Sequence, residues 1–191
     1  MAHSQQNIFL IGPMGSGKTT IGRQLAKLLG LTFYDCDHEL ERLTGASVSL
    51  IFDIEGEAGF RQRESRLLDE LSAKKGVLIA TGGGVICNEE NRRILRTRGF
   101  VVYLKTGIEQ QLARLSKDKS RPLLQAADRK RRLKELARVR NPLYTETADL
   151  VFSTLKSSIY ASAKALAMAI SEQANPINPH IAPTSSGPQN K

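Results

Sequence analysis

Residues 12 to 19 read Gly12-Pro13-Met14-Gly15-Ser16-Gly17-Lys18-Thr19, a glycine, four residues, then Gly-Lys-Thr. Such a spacing restricts the fold sharply. Its backbone N–H groups must converge on a phosphate while the next helix points its positive end at the same anion, so a strand has to precede it and a helix has to follow. Both flanks comply. Asn7-Ile8-Phe9-Leu10-Ile11 is the short apolar run of a buried strand, and Ile21, Leu25, Leu28 and Leu29 recur at helical spacing before Gly30 ends the helix. The chain is expected to bind a nucleoside triphosphate. Gly15, Ser16, Gly17 and Thr20 belong around the phosphates, Lys18 reaches the outer ones, and the Thr19 hydroxyl is a ready Mg²⁺ ligand.

Four more apolar runs alternate with amphipathic stretches: Thr32 to Tyr34, Val77 to Ala80, Phe100 to Leu104 and Leu150 to Phe152. Short strands separated by longer helical patterns need crossover connections, which predicts a parallel α/β sheet with its ligands at the carboxyl ends of the strands. With 191 residues, 40% of them hydrophobic, one substantial core is expected, covering residues 1–173. Residues 174–191 hold four of the seven prolines and one charge, Lys191, and read as a disordered tail.

Two cysteines, Cys36 and Cys87, form neither a disulfide framework nor a zinc pattern and suit a reducing compartment. No apolar run approaches the roughly 18 residues of a membrane span, so no membrane role and a cytoplasmic location are expected. The net charge of +9 invites a nucleic-acid reading, but its distribution argues otherwise. Between Arg114 and Arg140 eleven Lys or Arg stand against three acids, a surplus of eight, and no aromatic residue is interleaved among them. A triphosphate already supplies that strip with an anion, whereas single-strand binding would add stacking residues. No nucleic-acid partner is expected.

The rest of the site is spread along the chain. Asp35 and Asp37 flank Cys36 after the second strand. On an extended segment this i, i+2 spacing puts both carboxylates on one face, one for Mg²⁺ and its water shell, the other to orient an acceptor hydroxyl. Equally, Asp37 fits as the N-cap of a helix from His38 to Leu43. Arg61 and Glu64 stand at i, i+3 on a helix opened by Gly59-Phe60, which makes either a guanidinium fork aimed at a substrate carboxylate or a plain surface pair. Gly82-Gly83-Gly84 closes the third strand, where three glycines imply that something approaches the backbone closely, or else a strained turn.

Taken in order, six motifs resemble those of the shikimate kinase family. They are the phosphate loop, Asp35-Cys36-Asp37, Gly59-Phe60-Arg61-Gln62-Arg63-Glu64, Thr81-Gly82-Gly83-Gly84, Ser120-Arg121-Pro122-Leu123-Leu124 and Arg140-Asn141-Pro142-Leu143-Tyr144. The resemblance runs from about Asn7 to the last helix. It implies a three-layer P-loop kinase fold, a five-stranded parallel sheet flanked by helices, with a substrate-binding region at about 35–64 and a mobile lid at about 114–128. It also implies transfer of the γ-phosphoryl group of ATP to the 3-hydroxyl of shikimate, with Mg²⁺ as cofactor, by a protein expected to act as a monomer.

Carried over residue by residue, Lys18 holds ATP, and Thr19 and Asp35 serve the metal. Asp37 binds shikimate hydroxyls and is the candidate base, while Arg61, Arg140 and Gly83 line the acceptor pocket. Arg121 reaches the ATP phosphates from the lid, and Arg114 packs against adenine. Ser157 or Lys156 stands where the family often carries an adenine-side polar residue. A gluconate kinase is the nearest rival enzyme. A nucleotide-dependent switch or nucleic-acid binder is the rival from another class, although an Asn-Lys-x-Asp motif is missing.

Overall fold

The computed structural model describes residues 6–115, 128–154 and 158–174. Its strands are β1 (Asn7–Ile11), β2 (Thr32–Asp35), β3 (Val77–Ala80), β4 (Gly99–Lys105) and β5 (Leu150–Ser153), all parallel in the order β2-β3-β1-β4-β5. All five predicted runs become strands, each within one residue of its predicted ends. The helices are α1 (Lys18–Leu29), α2 (Cys36–Thr44), α3 (Val48–Ser72), α4 (Glu89–Arg98), α5 (Ile108–Leu115), α6 (Arg129–Thr147) and α7 (Ile159–Ala174). Ala174, assigned to the tail by the sequence reading, therefore closes α7, and residues 175–191 lie outside the described residues.

The side-chain alternation of a strand sorts the core into two layers. From β1, Phe9 and Ile11 face one layer with Ile79, Val101 and Tyr103, beneath α2, α3, α4 and α6. Ile8 and Leu10 face the other with Leu78, Val102 and Leu104, beneath α1 and α7. Covered on both faces, β1 and β3 read as unbroken apolar runs instead of alternating ones. That burial stabilises the sheet at about 25 cal/mol per Å² of apolar surface removed from water.

Register then places the site. Leu10 pairs with Ala80, and Ala80 pairs with Asp35, so the loops after β1, β3 and β2 leave the sheet at nearly one level. From β1 the chain crosses to β2 and from β3 to β4, in opposite directions, which opens a crevice between these neighbours. The phosphate loop and the triple glycine form its two lips.

Candidate active site

The loop after β1 turns through Gly15 (φ 75) and Gly17 (φ 94), left-handed conformations that a side chain resists. Gly17 caps α1 without a side chain, which leaves the first-turn amides directed at the cleft. Lys18 Nζ donates to the carbonyls of Gly12 (2.8 Å) and Pro13 (2.9 Å), which ties the cation down over the loop. Ser16 is buried beneath it, and the Thr20 hydroxyl donates to the Gly17 carbonyl. The cleft above holds about 640 Å³ and reaches from Lys18 and Thr19 to Asp35, Asp37, Thr81 and Gly83.

Thr19 and Asp35 meet in this cleft, the hydroxyl donating to Asp35 Oδ2 at 2.6 Å. A hydroxyl and a carboxylate oxygen beside a phosphate-binding helix are the hard donors that suit Mg²⁺, which is commonly held by one or two carboxylates together with substrate phosphates. These residues fit that ion.

The Asp35–Asp37 segment is not extended. The chain turns into α2 at Cys36, and Asp35, not Asp37, is the N-cap: its Oδ1 accepts from the amides of Asp37 (3.0 Å) and His38 (3.2 Å). Both readings of the pair are corrected together. Strand geometry yields because Asp35 satisfies two orphan amides at once, and the Asp37 carboxylate, relieved of that task, lines the phosphate cleft and the pocket next to it.

That second pocket, about 410 Å³, is assembled from five stretches of chain: Met14 from the phosphate loop, Asp37 from α2, Phe52, Phe60, Arg61 and Glu64 from α3, the triple glycine after β3, and Arg140 from α6. Arg61 Nη1 pairs with Glu64 Oε2 at 2.7 Å, and Nη2 reaches Glu57 at 3.3 Å. It is no surface couple, because the Glu64 side chain is only 3% exposed and that of Arg61 24%. The guanidinium also lies 5.2 Å from the Phe60 ring centroid. Burial pushes the Glu64 carboxyl up from its ordinary range, against the opposing pull of Arg61, and Asp37 adds to the rise.

The glycines are explained by contact. A Cβ on Gly84 would strike the Arg61 guanidinium and one on Gly82 would strike Glu64 Oε1, so the turn is glycine because two charged side chains are packed onto its backbone. Two cations, two carboxylates and apolar walls from Phe52 and Phe60 make a receptacle for a small anion carrying hydroxyls. Met14, Asp37 and Gly83 belong to both cavities, which therefore adjoin.

The predicted residues 15–20, 35, 37, 61, 83 and 140 thus surround one crevice. Arg114 stands at its far end beside Gly17, Thr20, Thr154 and Ser162, with Nη1 donating to the Gly15 carbonyl at 2.9 Å. Arg121, most of the expected lid, Lys156 and Ser157 lie outside the described residues. Sequence reasoning missed Glu57, Phe52 and the burial of Tyr144, whose hydroxyl donates to the Gly83 carbonyl. A signal for Tyr144 existed, since it stands one helical turn after Arg140.

Among the described residues no helix is long and apolar enough to cross a membrane. Residues 14–171 match the family model described as shikimate kinase. A shikimate kinase of Histophilus somni (strain 2336) is 53% identical over 155 residues, which is 81% of this chain and 89% of that protein. The structure of shikimate kinase from Acinetobacter baumannii in complex with shikimate superposes with a TM-score of 0.86 at 47% identity, covering 90% of this chain and 97% of the other. A deoxyadenosine kinase from M. mycoides, 13% identical with a TM-score of 0.57 over 87% of this chain and 99% of its own, shares the fold alone.

Proposed function

This chain belongs to the shikimate kinase family and phosphorylates shikimate with ATP, and on that premise we propose which of its residues carry the reaction. The observation that supports the assignment is the common wall of the two cavities. Asp37 and Gly83 border the phosphate cleft and the doubly cationic pocket alike, so an acceptor seated in one faces a triphosphate seated in the other.

The loop amides, Lys18 and the first turn of α1 hold the ATP phosphates, with Arg114 on the adenine side. Arg61 and Arg140 grip the shikimate carboxylate, and Glu64 holds the Arg61 fork in plane. The Asp37 carboxylate accepts a hydrogen bond from the 3-hydroxyl and takes its proton as the hydroxyl oxygen bonds to the γ-phosphorus and the bond to the β–γ bridging oxygen breaks, releasing ADP.

Thr19 and Asp35 would hold Mg²⁺, which supplies neutralisation of phosphate charge. Lys18, and Arg121 from the motif Ser120-Arg121-Pro122, stabilise the charge spread over the phosphoryl oxygens. Little covalent work falls to the protein. Holding both reactants in line is worth roughly 7 to 11 kcal/mol, so residues that only anchor shikimate matter to turnover.

An ADP-release assay with ATP and Mg²⁺, run with shikimate, with gluconate and with no acceptor, tests this reading. Turnover with shikimate alone is the expected result. Equal turnover with gluconate would show that the paired arginines do not select the ring acid, and ADP release without acceptor would show a nucleotide hydrolase.

A further inference from the structure

Tyr144 is fully buried, and the reaction as assigned above makes no use of it. It lies on α6 four residues after Arg140, on the same helical face. Its ring stacks on Tyr103 with centroids 5.0 Å apart, and its hydroxyl donates to the carbonyl of Gly83. Burial pushes the phenol far above its ordinary range, so the group remains a donor at any working pH. A phenylalanine would fill the same space at no polar cost, and a buried hydroxyl is tolerated where it has a partner.

The geometry of the peptide unit gives this bond its consequence. In a trans peptide the C=O of Gly83 and the N–H of Gly84 point in opposite directions. The carbonyl is turned toward Tyr144, where Pro13, Leu133 and Asn141 close the space beneath α6. The amide is therefore turned away from Tyr144, and Gly84 itself lies at the wall of the acceptor pocket, packed so closely on the Arg61 guanidinium that a Cβ there would strike it. Within the turn Val85 N–H bonds to Gly82 O and Cys87 N–H to Gly84 O, while no backbone acceptor for the Gly83 or Gly84 amide is found among the described residues.

We propose that Tyr144 is a positioning residue for the acceptor: by holding the Gly83 carbonyl on the α6 side, it keeps the Gly84 amide aimed at the carboxylate subsite beside Arg61. With glycine on both sides, the Gly83–Gly84 peptide has no side chain to resist rotation, and the Tyr144 hydroxyl supplies the missing restraint. A rotated peptide would present a carbonyl oxygen to the substrate carboxylate, where a donor is required. One helix thereby delivers both the Arg140 cation and the restraint on a backbone donor across the pocket. The inference rests on the reading of this pocket as the shikimate site.

Steady-state kinetics of wild type, Tyr144→Phe and Tyr103→Phe test it, with each substrate varied in turn. Tyr144→Phe is expected to raise the shikimate KM roughly tenfold, as for loss of one hydrogen bond to a charged group, with the ATP KM within about twofold of wild type. Tyr103→Phe loses a hydroxyl bond of 3.3 Å to Asn141, away from the glycine turn, and is expected to leave the shikimate KM unchanged.

A folded Tyr144→Phe enzyme with a wild-type shikimate KM overturns the proposal, as does an equal rise in both KM values or the same rise in Tyr103→Phe. Failure of the wild type to phosphorylate shikimate would instead sink the functional reading, so the two failures are distinct. Should Tyr144→Phe not fold, 3-fluorotyrosine at position 144 keeps the ring and alters the acidity of the hydroxyl. A shifted shikimate KM in that protein supports the proposal and an unchanged one overturns it.

Discussion

The two halves of the crevice are built on different principles. On the phosphate side, one contiguous stretch does most of the work, and its groups are backbone amides and carbonyls held by β1 and α1. On the acceptor side, the charged groups are side chains drawn from α2, α3 and α6, and the backbone contributes a glycine turn on which Arg61 and Glu64 lie. A backbone-built site tolerates change where its φ angles survive. A side-chain-built site depends on each partner of each pair. The difference teaches where single substitutions should act on chemistry and where they should act on stability.

The largest break in that comparison is expected from Asp37→Asn, because Asp37 stands on the wall common to both halves. Turnover is expected to fall by roughly 10²- to 10⁴-fold, the usual contribution of a positioned acid or base. The melting temperature should hold, since Asp35 already caps α2. A variant that keeps its kcat would confine Asp37 to a structural part. Asp35→Ala supplies the contrast: the lost cap costs about 1 kcal/mol, seen as a drop of some 2–4 °C in Tm, together with a raised Mg²⁺ requirement.

Next comes Arg61→Lys, which sharpens the contrast within the acceptor half. Charge survives while the planar fork that bonds Glu64 and Glu57 is lost. We expect the shikimate kcat/KM to fall roughly 10- to 100-fold while the ATP KM is little changed. Normal kinetics would mean that Arg61 serves only its carboxylate neighbours. Smaller again is Gly56→Ala. Gly56 breaks α3 at φ 68 and ψ −177, between the segment bearing Phe52 and the segment bearing Arg61, and a Cβ there meets no atom within 4 Å. The penalty is thus one of backbone conformation alone, about 1–3 kcal/mol of stability by thermal or urea unfolding. A stability equal to wild type would show that α3 can run straight through.

The same contrast explains what could be read before the fold was known. The phosphate loop is local, so its residues, its flanking strand and its helix were all legible, as were the five strands, of which β1 and β3, buried on both faces, write unbroken apolar runs. The acceptor side was legible only through ordered motifs that carry a family resemblance. Nothing in the spacing of Arg61, Gly82 and Arg140 says that they touch one cavity, because sheet register and the α6 crossing bring them together. The Asp35–Asp37 segment failed for a local reason: a strand end and a helix cap compete for the same residues, and two capping bonds outweighed continued extension. Tyr144 escaped because its place one helical turn after Arg140 marks the face it shares but not the burial of its hydroxyl or the Gly83 carbonyl that it meets.

The smallest expected effect concerns pH and separates the two halves by their ionic partners. Burial raises the Glu64 carboxyl above its ordinary value, so the folded state binds a proton there more readily than the unfolded chain does. The sign follows. Stability linked to Glu64 is fully present below the ordinary carboxylate pKa and is lost as pH rises through the raised folded value. Above that value the buried charge is a standing cost, partly offset by Arg61. Glu64→Gln removes this dependence. Its melting temperature relative to wild type is therefore expected to climb by a few degrees between about pH 4 and pH 7, whatever the absolute cost of leaving Arg61 with Glu57 alone. A difference that stays flat across this range, or falls, would mean that Glu64 is fully ionised by its arginine at acidic pH. The acceptor pocket would then carry the Glu64 charge at no linkage cost, offset in full by its ion pair with Arg61.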